Sequence, residues 1–134
     1  MLTVSELSKA AQVTPDAVRH YVRLGLLKPQ RHPDTDYKLF SDGDVKKAKF
    51  IRQAKGLGFT LADIQVIFDH STRGQSPCPA VREIIQRRIK ENEARLDELT
   101  MLHNRMAVAV EHWKTMPDGE PDGDAICYLI ESVS

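Results

Sequence analysis

VSELSKAAQVTPDAVRHYVRLGLLKP, Val4 to Pro29, is the stretch whose reading decides the fold. Thr3 with Glu6 makes a capping box: the hydroxyl satisfies a free N–H of the first turn and the carboxylate reaches back to the cap. Thr14 followed by Pro15 starts a second helix, with a capping hydroxyl and then a proline where the missing N–H is harmless. That helix runs through AVRHYVRLGLL and stops at Gly25. Two short helices joined by the tight turn AAQVT have the layout of a helix-turn-helix.

Working outward, KPQRHPDTDYKLF carries turn chemistry at Pro33-Asp34-Thr35-Asp36, then Tyr37, Leu39 and Phe40, which favour a strand, so a short hairpin is expected. Ser41 caps a third helix, broken by Gly56 and Gly58, and Thr60 with Asp63 opens a fourth. STRGQSPCP reads as a loop. From Ala80 to about Lys114, Ile85, Ile89, Asn92, Leu96, Leu99, His103, Met106, Val110 and Trp113 recur at alternating spacings of four and three residues. This heptad seam meets no proline or glycine, and a lone helix cannot bury it. A second copy of the chain is the simplest partner, and Asn92 and His103 read as polar residues that fix register.

Net charge is zero, yet residues 1–60 hold 11 Lys/Arg against 6 Asp/Glu, a net +5, and residues 61–134 hold 8 against 13, a net −5. The basic half is the candidate for phosphate contact. No run is apolar or long enough for a signal peptide or a membrane span, so a cytoplasmic protein with no membrane partner is expected. In a reducing compartment two cysteines serve metal or redox chemistry rather than a structural disulfide. An enzyme is not expected: no carboxylate pair, nucleophile–base set or glycine-rich phosphate loop stands out.

VSELSKAAQVTPDAVRHYVRLGLLKP, then DYKLFSDGDVKKAKFIRQAKGLGFTLADIQVI, then a dimerising helix and a cysteine-bearing tail together resemble the MerR family of bacterial transcription regulators. The resemblance covers nearly the whole chain. It implies a mainly α fold: a winged helix-turn-helix DNA-binding domain over 1–75, a dimerisation helix forming an antiparallel coiled coil over 76–115, and a short effector-binding loop over 116–134. It also implies a homodimer on double-stranded promoter DNA that bends and untwists an over-long spacer, on effector binding, so that RNA polymerase can engage.

Within that frame Thr14, Arg19 and Tyr21 lie on or beside the recognition helix, where Arg19 can donate to a guanine edge or to phosphate. Tyr37 and Lys38 match the family's wing, usually Gly-Tyr-Arg; here Asp36 replaces the glycine and Lys38 the arginine, keeping charge but losing the bidentate fork. Arg31, with His32 and Lys28, is a further phosphate candidate. Cys78 precedes a helix roughly 50 Å long at ~1.5 Å per residue, and Cys127 lies beyond its far end. One chain cannot bring the two thiols together, but an antiparallel dimer sets Cys78 of one chain near Cys127 of the other.

Pro79 suits the first helical position, which places Cys78 at the N-cap, and a helix N-terminus favours the thiolate form. By resemblance, a cysteine at this point marks sensors of divalent rather than monovalent ions. Thiolates select soft or borderline ions such as Zn, Cd, Pb or Hg. Metal sensors of the family usually carry a further cysteine where Trp113 stands, so the third donor must come from elsewhere. His112 is nearest, with Asp118, Asp122, Asp124 and His103 behind it. Two alternatives stand beside a metal-responsive activator: a thiol switch of the same family sensing oxidants or electrophiles without metal, and a sensor of small organic ligands, for which the tail is short. Ile126, Leu129 and Ile130 are expected to anchor the tail over the helix end.

Overall fold

The computed structural model describes residues 1–133. The order of elements is α1 (Val4–Ala11), α2 (Pro15–Arg23), β1 (Gln30–Arg31), β2 (Lys38–Leu39), α3 (Asp42–Gly56), α4 (Leu61–Thr72), α5 (Cys78–Trp113) and α6 (Tyr128–Glu131). Two compact units divide the chain, Met1–Arg88 and the remainder from Ile89.

Local chemistry sets the helix starts. Thr3, Ser41 and Thr60 each close a reciprocal capping box, with Glu6, Asp44 and Asp63 at the third helical position. Thr14 accepts from the Ala17 N–H, ahead of Pro15. Between α1 and α2, Gln12 takes the left-handed conformation at φ 59°, and the Ser8 hydroxyl donates to the Val13 carbonyl. The chain therefore turns without a glycine. The two strands pair antiparallel, Gln30 with Leu39 and Arg31 with Lys38. Asp36 itself adopts φ +59°, so the wing turn keeps its left-handed residue, which Asp tolerates better than most side chains.

Leu7, Val18, Leu27, Phe40, Ile51 and Ile64 are fully buried and form the centre of the first unit. Tyr21 joins them at 3% exposure, and its carbonyl accepts from the Leu26 and Leu27 N–H groups. The first turns of α5 share this core through buried Ile84, with Val81 and Ile85 packed against it.

Two boundaries differ from the sequence reading. Helix α4 continues through Ser71 and Thr72, whose hydroxyl donates to the Phe68 carbonyl, and the loop turns at Gly74 with φ +71°. Helix α5 starts at Cys78 itself, because the Pro77 carbonyl accepts the first helical bond from Val81 and the Ser76 hydroxyl accepts from the Cys78 N–H. Cys78 is thus the first helical residue rather than the cap. Pro79 falls one place later, still among the N–H positions that have no intrahelical partner.

Asp63 does more than close its box. Its Oδ2 accepts from the Thr60 N–H at 2.9 Å and from Arg88 of α5 through Nε at 3.2 Å and Nη2 at 2.7 Å. Burial pushes the Asp63 carboxyl upward, but the Thr60 and Arg88 hydrogen bonds outweigh it and hold it below its ordinary value. A depressed carboxylate stabilises the fold above its unfolded pKa, and that contribution fades as pH falls through the folded value. Asp63→Ala should therefore lose about 2 kcal/mol at neutral pH, from charge-assisted bonds to a half-buried guanidinium. In thermal unfolding at stepped pH, the gap to the parent protein should close as pH drops below about 4.

Candidate functional site

On the first unit, a groove of about 500 Å³ is lined by Thr3, Val4, Ser5, Pro15, Arg19, Tyr37 and Lys38. It joins the N-termini of α1 and α2 to the second strand of the hairpin. Three of the expected DNA-facing residues, Arg19, Tyr37 and Lys38, thus meet at one surface. Tyr37 is 68% exposed. Arg19 and Arg31 are each held by a neighbouring aspartate, Arg19 Nη1 to Asp16 at 2.8 Å and Arg31 Nη1 to Asp36 at 2.8 Å. Such exposed pairs contribute little and exchange readily for phosphate.

Three of the expected residues also have structural tasks. Tyr21 lies in the core, so its ring orients α2 rather than facing outward. Thr14 is exposed, but its oxygen already caps α2. His32 accepts from the Asp34 and Thr35 N–H groups through Nδ1, which makes it an organiser of the wing turn. The reading missed Thr3 and Ser5 as groove residues; their place at the first turn of a capped helix is the signal that could have found them.

Both cysteines are free. Cys78 is exposed at the first turn of α5. Cys127 is half-buried at the N-cap of α6, and its side chain makes no capping bond. The tail around it is held by specific polar contacts. Glu131 accepts from the Ile126 N–H at 3.0 Å and the Cys127 N–H at 2.8 Å. Asp122 accepts from the Asp124 and Ala125 N–H groups and, at 2.6 Å, from the Tyr128 hydroxyl. A side chain at Gly119 would strike the Tyr128 ring, which explains one glycine of the twin Pro-Asp-Gly turns. The Trp113 indole N–H donates to the Leu129 carbonyl at 2.8 Å, fastening the tail to the end of α5.

Trp113 therefore has a structural task where a further thiol was expected. Ala125 is buried, whereas Ile126 is 87% and Ile130 66% exposed, so those two isoleucines do not anchor the tail within the chain. Hydrogen bonds do that work. Asp122, one candidate donor, has its carboxylate committed to the turn. His112 is exposed and lines a groove of about 440 Å³ with Asn104, Arg105, Val108, Ala109, Ser132 and Val133. Among the described residues no three His, Cys, Asp or Glu side chains come together as a metal site within one chain, so Cys78, Cys127 and His112 are not assembled there.

The Tyr128 hydroxyl, then the backbone N–H groups, lower the Asp122 carboxyl, and the same bond raises the Tyr128 phenol. In Tyr128→Phe, NMR titration should find Asp122 moved up toward the ordinary carboxylate range. An unchanged titration would show that the turn does not depend on this bond.

The chain matches the family model described as MerR HTH family regulatory protein over residues 2–71, and the one described as MerR, DNA binding, over residues 45–108. It is 31% identical over 112 residues to the HTH-type transcriptional regulator ZntR of Escherichia coli (strain K12), covering 79% of this chain and 76% of that protein. It is 26% identical to the heavy metal-dependent transcription regulator 2 of Rhizobium meliloti (strain 1021), covering 99% and 86%. Its fold is similar to that of the transcription regulator PbrR691 from Ralstonia metallidurans CH34 in complex with lead(II), with a TM-score of 0.77, 20% identity and 100% of both chains covered.

Proposed function

The chain belongs to the MerR family of helix-turn-helix regulatory proteins, and from that premise we propose that it is a cytoplasmic homodimer that activates a promoter when a soft or borderline divalent metal ion binds between its subunits. DNA-binding transcription regulation, not catalysis, is the activity of the family. The observation that carries the metal reading is the pair of free thiols, Cys78 exposed at the first turn of α5 and Cys127 half-buried at the N-cap of α6.

The residues fit such an ion in their chemistry. Two thiolates are a soft donor pair, and the exposed His112 imidazole is the nearest nitrogen to complete a set of three. Bound there, the ion would cross-link the start of α5 in one chain to the tail of the other. On the head, Arg19 and Lys38 place cations along one groove beside Tyr37, an arrangement suited to a phosphate backbone. Arg31 adds charge at the wing once phosphate displaces Asp36. Tyr21 acts indirectly, by fixing α2. The proposed consequence of metal binding is a change in the spacing of the two heads on promoter DNA, with the spacer distorted toward a geometry that RNA polymerase can use. The relative named as heavy metal-dependent transcription regulator 2 supports the metal class.

A thiol switch without metal would use the same two residues, so the deciding test is made under reducing conditions. The purified protein should bind Zn²⁺, Cd²⁺ or Pb²⁺ stoichiometrically, with thiolate-to-metal absorption for the latter two. Cys78→Ser should weaken binding at least about a hundredfold. No binding by the reduced protein would contradict the proposal.

A further inference from the structure

In the hairpin register Arg31 stands directly opposite Lys38. Two cations thus project from the same face of the wing as cross-strand neighbours, a pairing that is unfavourable on its own. Asp36 relieves it: its Oδ2 accepts from the Arg31 Nη1 at 2.8 Å. Among the described residues no ion pair reaches the Lys38 ammonium. The turn fixes where the carboxylate stands, since the His32 carbonyl accepts from the Asp36 N–H at 3.0 Å and the Tyr37 carbonyl from the His32 N–H at 2.8 Å. The backbone at Asp36, with φ 59°, asks only for a residue that tolerates the left-handed region. Glycine does so freely, and asparagine as readily as aspartate. The conformation therefore accounts for the turn residue but not for its charge.

We propose that Asp36 sets the affinity of the wing for DNA: its carboxylate competes with phosphate for the Arg31 guanidinium and holds binding below what Arg31 and Lys38 would otherwise give. The inference rests on the head groove being the DNA face, as proposed above. Carboxylate and phosphate are ligands of the same kind for a guanidinium, both anionic and both suited to its planar fork. The Arg31 and Asp36 side chains are 62% and 74% exposed, so one anion replaces the other easily. The exchange leaves the Asp36 carboxylate, held by the turn, beside the phosphate that displaced it. Like charge then opposes contact at the wing. The bared carboxylate also attracts a cation in place of the one released from DNA, so Arg31 adds little to the salt dependence of binding.

The Asp16–Arg19 pair on α2 looks alike, but there the acid has a second cause. Asp16 lies in the first turn of a helix, where the free N–H groups favour negative charge. No helix begins at Asp36. A purely structural task for Asp36 predicts the opposite sign on substitution, because a loosened wing would bind DNA more weakly. An exposed pair contributes little to stability, so Asp36→Asn should unfold near the parent's temperature.

Fluorescence anisotropy tests this, with the full chain titrated into a labelled double-stranded DNA of mixed sequence at stepped salt. Asp36→Asn, which keeps the shape and removes only the charge, should bind several-fold tighter. Its plot of log affinity against log salt should steepen by about 0.9 for each wing engaged. Asp36→Gly should do the same, which guards against a new contact from the asparagine amide. The loss caused by Arg31→Gln should be several-fold larger in the Asp36→Asn background than in the parent. Unchanged affinity and slope, or weaker binding, in both Asp36 variants would overturn the proposal; Lys38→Gln weakening binding in the same assay would leave the DNA face standing. Arg19→Gln and Lys38→Gln both binding like the parent would overturn the two readings together. A gain from Asp36→Asn that persists in full with Arg31→Gln would overturn the competition for Arg31.

Discussion

One carboxylate oxygen holds the first turns of α5 against α4. Asp63 Oδ2 takes hydrogen bonds from the Thr60 N–H that begins α4 and from the guanidinium of Arg88 in α5. Asp63 is nearly buried, so removing Arg88 would take from its carboxylate the shortest of the hydrogen bonds that offset burial. With Ile84 buried alongside, α5 has a defined register on α4. The position of Cys78, ten residues before Arg88 on the same rigid helix, follows from that contact.

What the first unit achieves by burial, the second leaves unfinished. Five apolar seam residues of α5 remain more than half exposed, and burying each is worth about 1.5–3 kcal/mol. A surface of that size and periodicity calls for a partner helix. The tail, by contrast, is organised by polar contacts, Trp113 to Leu129 and Asp122 to Tyr128. It presents Ile126 and Ile130 outward.

The helices and hairpin were legible in the sequence because their causes are local. A capping hydroxyl with an acid three residues on, a proline at the first turn, or an Asp-rich turn reads correctly without knowledge of the rest. Asp44 closed a box of the same kind and could have been read with the others. Tyr21 lies on α2 as expected, and its spacing of three from Val18 puts it on the buried face of that helix. The Asp63–Arg88 contact spans 25 residues, and no local pattern announces it. The tail misled for a related reason: its isoleucines suggested apolar anchoring, whereas the indole N–H of Trp113 and a tyrosine hydroxyl hold it. The candidate donors were identifiable by type, but among the described residues of one chain they do not come together as a set of three.

The sharing of that site between subunits is the central claim, and subunit mixing tests it most directly. Chains carrying Cys78→Ser and chains carrying Cys127→Ser each lack tight metal binding if every site needs both thiols. Unfolded together and refolded, they form mixed dimers in which Cys78 of one chain faces Cys127 of the other. Tight binding of Cd²⁺ should return in the mixture and be absent from either parent. A mixture as inert as its parents, or a parent that binds like the unaltered protein, would contradict the shared site.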